Sequence, residues 1–167
     1  MSPEGWLVEV SGIPFGLMGD MLQDGGNRWL GMVYGMTMRL PWYSPGDKAD
    51  PRPVWELWDQ FGIADARMEG YWEKNCPVRA SHPDVRATVY EKPGKALIAL
   101  ASWASQPVKT KLLVDWKRLG IDPRNAVLIA TPVADFQPAA EFAPGEEIPI
   151  EGMKGWLLIL SERRPGP

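Results

Sequence analysis

Between Lys95 and Trp116 the chain reads KALIALASWASQPVKTKLLVDW, two apolar runs separated by a short polar link. The first run, Ala96–Trp103, is apolar on both of its faces. A strand of that kind must lie centrally and be covered on both sides. In the second, Val108, Thr110, Leu112, Val114 and Trp116 alternate with Lys109, Lys111 and Asp115, which predicts one strand with an inner and a wet face. The link between the runs is short, so the pattern predicts that they pair with each other as antiparallel strands.

The surrounding sequence extends this pattern. Val85, Ala87 and Val89 alternate with Arg86, Thr88 and Tyr90, predicting a half-buried strand with one wet face. Lys92-Pro93-Gly94-Lys95 places Pro and Gly where a type II turn needs them, so this strand doubles back into Ala96–Trp103. Trp116–Gly120 reads as one helical turn stopped by glycine. Ala126–Ala130, Ile148–Ile150 and Trp156–Leu160 read as further strands, and Phe136–Phe142 as irregular. Short strands about ten residues apart, joined by Pro/Gly turns, predict an antiparallel β-sandwich over residues 76–167.

Residues 1–75 follow other rules. Trp6–Val10 reads as a buried strand and Phe15–Gly26 as a Gly-rich loop carrying Asp20 and Asp24. Asn27 is a cap for a helix over Arg28–Leu40, with Trp29, Val33, Met36 and Leu40 on one face. Pro41–Gly46 forms a loop bearing Trp42 and Tyr43, and Asp50-Pro51 opens a second helix, Val54–Phe61, that stops at Gly62. Arg67–Trp72 reads as extended, and Glu73–Asp84 is polar and aperiodic, the expected boundary between the halves. Strand, Gly-rich loop and helix follow one another as in the closing units of a β/α barrel. The expected class is therefore α+β, the tail of an α/β barrel-like domain over residues 1–75 followed by the sandwich.

Composition narrows the function. A net charge of -3 from 18 basic and 21 acidic residues leaves no broad electrostatic footprint for nucleic acid or an anionic membrane, so neither is an expected partner. No apolar run approaches the ~20 residues of a membrane span and no signal-peptide order is present, so the expectation is a soluble chain of open compartment. Cys76 is the only cysteine, which rules out an internal disulfide and a multi-cysteine zinc site, and the only histidine, His82, reads as a linker residue. No metal or cofactor is expected. The GxSxG, HExxH, phosphate-cradling and dinucleotide patterns are missing.

The runs Ala96–Trp103 and Val108–Trp116 followed by Leu119-Gly120, with Ser11–Met21, Gly31–Trp42 and Trp55–Gly62 upstream, resemble the C-terminal part of relatives of the family 123 glycoside hydrolases. Ser102 stands where Asn is common in that pattern. The resemblance implies a (β/α)8 barrel with an appended sandwich and a parent enzyme acting on glycosidic bonds. Such chemistry needs paired carboxyl groups, or one carboxylate assisting a substrate acetamido group. Asp20 and Asp24 are the candidates for lining a sugar site, and Trp42, Tyr43 and Trp72 for stacking on a pyranose, with packing between the halves as the alternative.

The reading that follows is a C-terminal portion of a glycoside hydrolase, inactive alone, whose sandwich supports the barrel. Its expected partners are carbohydrate and the rest of the barrel or another chain. A non-catalytic carbohydrate-binding module and a structural or homo-oligomerising domain are the other readings.

Overall fold

The computed structural model describes residues 2–5, 27–35 and 50–163. The expected strand Trp6–Val10, the Gly-rich loop and the Trp42–Tyr43 loop lie outside these residues.

Six strands form one antiparallel sheet in the order β1 (Arg67–Glu69), β3 (Val85–Lys92), β4 (Lys95–Ser102), β10 (Gly155–Glu162), β7 (Ala126–Ala130) and β8 (Ala140–Phe142). Opposite it lie two two-stranded sheets, β2 (Val78–Ala80) with β6 (Leu112–Val114) and β5 (Val108–Thr110) with β9 (Ile148–Ile150). The aliphatic layer between them is the main core. Ala87, Ile98, Leu100, Leu128 and Leu158 of the large sheet pack with Val78, Leu112, Ile148 and Ile150 of the small ones. The second half is thus an antiparallel β-sandwich.

The Pro93-Gly94 hairpin forms as expected, with Lys92 opposite Lys95 and Gly94 at φ +72°, a conformation that costs glycine nothing. β4 is central, flanked by β3 and β10. Its odd and even positions feed different layers, Ala96, Ile98 and Leu100 into the sandwich core and Leu97 and Ala99 into the layer beneath the helices.

That position overturns the expected pairing of Ala96–Trp103 with Val108–Trp116. Both edges of β4 are taken, so the link at 103–107 carries the chain across to the opposite layer. The second run also does not form one strand. It breaks at Lys111, because its first part pairs with β9 and its second with β2. The alternation survives the break: Thr110 and Leu112 are buried, while Lys109, Lys111 and Asp115 face water. β2 is itself a strand inside the stretch expected to be aperiodic. With Cys76-Pro77-Val78 buried, three residues suffice for a strand and too few remain to show a period.

Two helices cover the outer face of the large sheet. α1 (Arg28–Val33) is capped by Asn27, whose Oδ1 accepts the Leu30 N–H. It ends seven residues before the expected Leu40, since Tyr34 leaves the helical region and Gly35 turns left-handed at φ +77°. Of its expected apolar stripe, Met36 and Leu40 lie outside the described residues. α2 (Arg52–Phe61) buries Val54, Leu57 and Phe61 and stops at left-handed Gly62. Pro51 occupies its N-cap, and Asp50 accepts the Arg52 N–H from just outside. A further turn, α3 (Trp116–Leu119), is capped by Asp115 and closed by Gly120.

This helical layer corrects a second expectation. Thr88 and Tyr90, read as the wet side of β3, are 0% and 4% exposed because α1 lies over them. Among the described residues no helix is long and apolar enough to cross a membrane.

Candidate functional site

The seam between α1 and the large sheet gathers the most distinctive side chains of the described structure. Leu30, Met32, Val33 and Tyr34 are all buried there. Directional bonds fix their position. Thr88 Oγ1 donates to the Val33 carbonyl at 2.6 Å and Tyr90 Oη to the Met32 carbonyl at 3.4 Å. The Val33 carbonyl is one that a helix end leaves without an intrahelical partner, and the Met32 carbonyl also accepts the Gly35 N–H at 3.1 Å. At the other end, Asn27 Nδ2 donates to the Met153 carbonyl at 2.6 Å and the Arg28 guanidinium to the Asp135 carbonyl. Among the described residues, Met153 and Asp135 are the two non-glycine residues with positive φ, at 56° and 55°. Both turns present a backbone oxygen to the start of α1.

Beside the C-terminal end of α1, the Tyr34 and Tyr71 hydroxyls donate to the same Pro3 carbonyl, at 2.7 and 2.9 Å. Burial, and secondarily the contact with Tyr71, pushes the Tyr34 hydroxyl well above the usual tyrosine range; burial alone does the same to Tyr90. Trp72 stacks on Tyr34, ring centroids 6.1 Å apart and planes 11° from parallel, and meets Tyr71 edge-on at 5.2 Å. It folds back over Gly70, where a Cβ would come within 2.3 Å of the indole. Trp72 is nevertheless 40% exposed. Of the expected stacking residues it alone can be placed, and it packs on Tyr34 and Tyr71 while keeping part of its surface in water. Asp20, Asp24, Trp42 and Tyr43 lie outside the described residues.

At the start of α1, Trp29 stacks on Phe136 at 5.2 Å with the planes 18° apart. A groove of about 260 Å³ opens beside this pair, walled also by Pro149 and Trp156 and edged by Glu151 and Lys154. The Trp156 indole N–H donates to the Pro149 carbonyl at 2.8 Å, which fixes the ring.

Two carboxylates also converge elsewhere. Arg118, on α3, pairs with Glu69 and lies 3.3 Å from Glu91, and Arg67 holds Glu69 at 3.1 Å. Glu69 is only 2% exposed. Two carboxyl groups are what glycoside hydrolysis calls for, yet here guanidinium groups hold both and one is sealed from solvent. The cluster ties α3 to the sheet edge. Cys76 is buried beside it, and burial pushes its thiol up. His82 is half-buried and accepts the Asp84 N–H through Nδ1, closing a loop as a linker residue would. Among the described residues no group of three or more His, Cys, Asp or Glu side chains is placed to hold a metal ion.

Sequence reasoning passed over Thr88, Tyr90, Tyr34 and Phe136. One signal was available for the first two: the side of β3 read as wet carries Thr and Tyr, which suit a covered sheet face, rather than a run of charges.

An antiparallel sandwich whose outer face holds a helix from a preceding segment has the form of a domain appended to another. Comparison with family models gives the same division. Residues 50–161 match the model for Glycoside hydrolase 123, C-terminal domain, and residues 1–41 match the one for Glycoside hydrolase 123, TIM-barrel domain. The chain belongs to glycoside hydrolase family 123. No curated protein and no solved structure matches it significantly.

Proposed function

We propose that the sandwich is the seat of a carbohydrate-active barrel, holding it through α1, and that this chain by itself does not hydrolyse glycosides. The observation that carries the reading is the placement of α1. Its residues fall within the stretch that matches the barrel model, and they are buried and hydrogen-bonded against the sheet of the sandwich. The match to the barrel spans residues 1–41. A complete (β/α)8 barrel takes about 250 residues, so these residues supply only a small part of one.

In this reading Asp20 and Asp24 line the sugar site, and Trp42, Tyr43 and Trp72 offer stacking faces. The remaining barrel strands come from further sequence or from another chain, and carbohydrate is the substrate class. The expected division at residue 75 moves earlier in this proposal. β1 pairs with β3, and the match to the C-terminal domain begins at residue 50, so residues 50–75 are assigned to the sandwich as its own covering layer. The test is hydrolysis of a panel of aryl glycosides by the purified chain. No turnover is expected; turnover abolished by Asp20→Asn would overturn the proposal, since the chain would then hold a complete site.

A further inference from the structure

The groove beside Trp29 straddles the same two matched stretches. Trp29 lies within residues 1–41, and Phe136, Pro149 and Trp156 lie within residues 50–161. Its walls are flat rings held in place: Trp29 against Phe136, and Trp156 by its bond to the Pro149 carbonyl and its edge contact with Phe142 at 5.8 Å. About 260 Å³ is room for one six-membered ring with its substituents.

The polar groups at the groove narrow the ligand further. Gln137, at its floor, is fully engaged: its Nε2 donates to the Thr131 and Leu157 carbonyls and its Oε1 accepts the Leu157 N–H. That leaves the Glu151 carboxylate and the Lys154 ammonium, both exposed, neither in an ion pair among the described residues. Lys154 Nζ stands 5.8 Å from the Trp29 ring centroid.

A charged ligand would meet one like charge here. A purely apolar one would strip water from two ions and return nothing. A neutral pyranoside satisfies the whole set, with its C–H face against an aromatic wall, its hydroxyl hydrogens to Glu151 and its hydroxyl oxygens to Lys154. We infer that this groove is a binding site for a single neutral pyranose ring, built where the two matched stretches meet. The inference rests on carbohydrate being the substrate class and names a place on the described structure where the chain meets it.

The experiment is titration of the purified chain with methyl β-glucopyranoside and methyl β-galactopyranoside, followed by tryptophan fluorescence and calorimetry. Benzoate and cyclohexanol serve as the charged and the apolar ring. Saturable binding of at least one pyranoside and of neither control is expected. Glu151→Gln and Lys154→Met, both at exposed positions, should each weaken it about tenfold, the worth of one hydrogen bond to a charged group. Trp156→Ala should abolish it with the thermal transition retained. Pyranoside binding that these three variants leave unchanged would overturn the groove assignment while leaving carbohydrate as the class. No saturation at the solubility limit would also overturn it, and the aryl glycoside assay would still judge the role of the barrel independently.

Discussion

On one face of the six-stranded sheet, Ala87, Ile98, Leu100 and Leu158 meet an almost wholly aliphatic layer supplied by β2, β5, β6 and β9. On the other, Thr88, Tyr90, Leu97 and Leu157 meet α1 and α2 through hydroxyl-to-carbonyl bonds, indole rings and methionine sulfur as well as apolar contact. Both faces exclude water, but they constrain their covers differently. Aliphatic contact is non-directional and tolerates small slides, so the first face supplies cohesion. The second adds bonds that are satisfied in only one register, so it sets where α1 sits and which way it points.

Substitution on each face should expose that difference. Leu100→Asp or Ile98→Asp, on the aliphatic side, forfeits about 1.5–3 kcal/mol of burial and adds the larger cost of an unpaired buried carboxylate, against a typical total of about 5–15 kcal/mol. The expected result is loss of any cooperative thermal transition; a transition near that of the parent would show β4 to be peripheral. Thr88→Val, on the helical side, keeps the shape and deprives the buried Val33 carbonyl of its donor, at a cost of about 1–3 kcal/mol. Hydrogen exchange should then quicken across Leu30–Tyr34 and stay unchanged in β4 and β10. Uniform acceleration over the whole sheet would mean that the two faces form one cooperative unit, and the contrast would fall.

Alkaline pH gives the gentlest probe, because it loads the helical face through its buried tyrosines. Tyr34 and Tyr90 are held above the ordinary range in the folded chain, so the stability they contribute is fully present below the unfolded value of about 10. It is lost as pH rises past that value toward their folded ones. Tyrosinate absorbance should therefore rise in two stages, with the later stage accompanied by release of α1. A single stage near 10 for all four tyrosines, with α1 still protected, would contradict this.

How far these faces could be read beforehand depended on local chemistry. The Pro93-Gly94 turn, the Gly120 stop and the central place of Ala96–Trp103 were legible because each is fixed by residues a few positions apart. The partner of β4 was not. Its second neighbour, β10, lies more than fifty residues further on, and no local pattern distinguishes it from the nearer run at Val108. The end of α1 was missed because periodicity continues through Met36 and Leu40, while Gly35 breaks the helix by backbone geometry alone. Of the candidate sugar-contacting residues only Trp72 lies among the described ones, where one side of its ring meets Tyr34 and 40% of its surface stays exposed.

The order of the strands also bears on how the protein comes to be made. β10 fills the slot between β4 and β7, so the large sheet stays open until residues 155–162 have left the ribosome. Residues 28–33 emerge long before that surface exists. Through the interval between those two events the nascent polypeptide therefore carries a greasy helix whose berth is unfinished, which makes that interval the natural point of action for a chaperone, and premature termination near Glu151 the lesion that would leave the berth without its last strand.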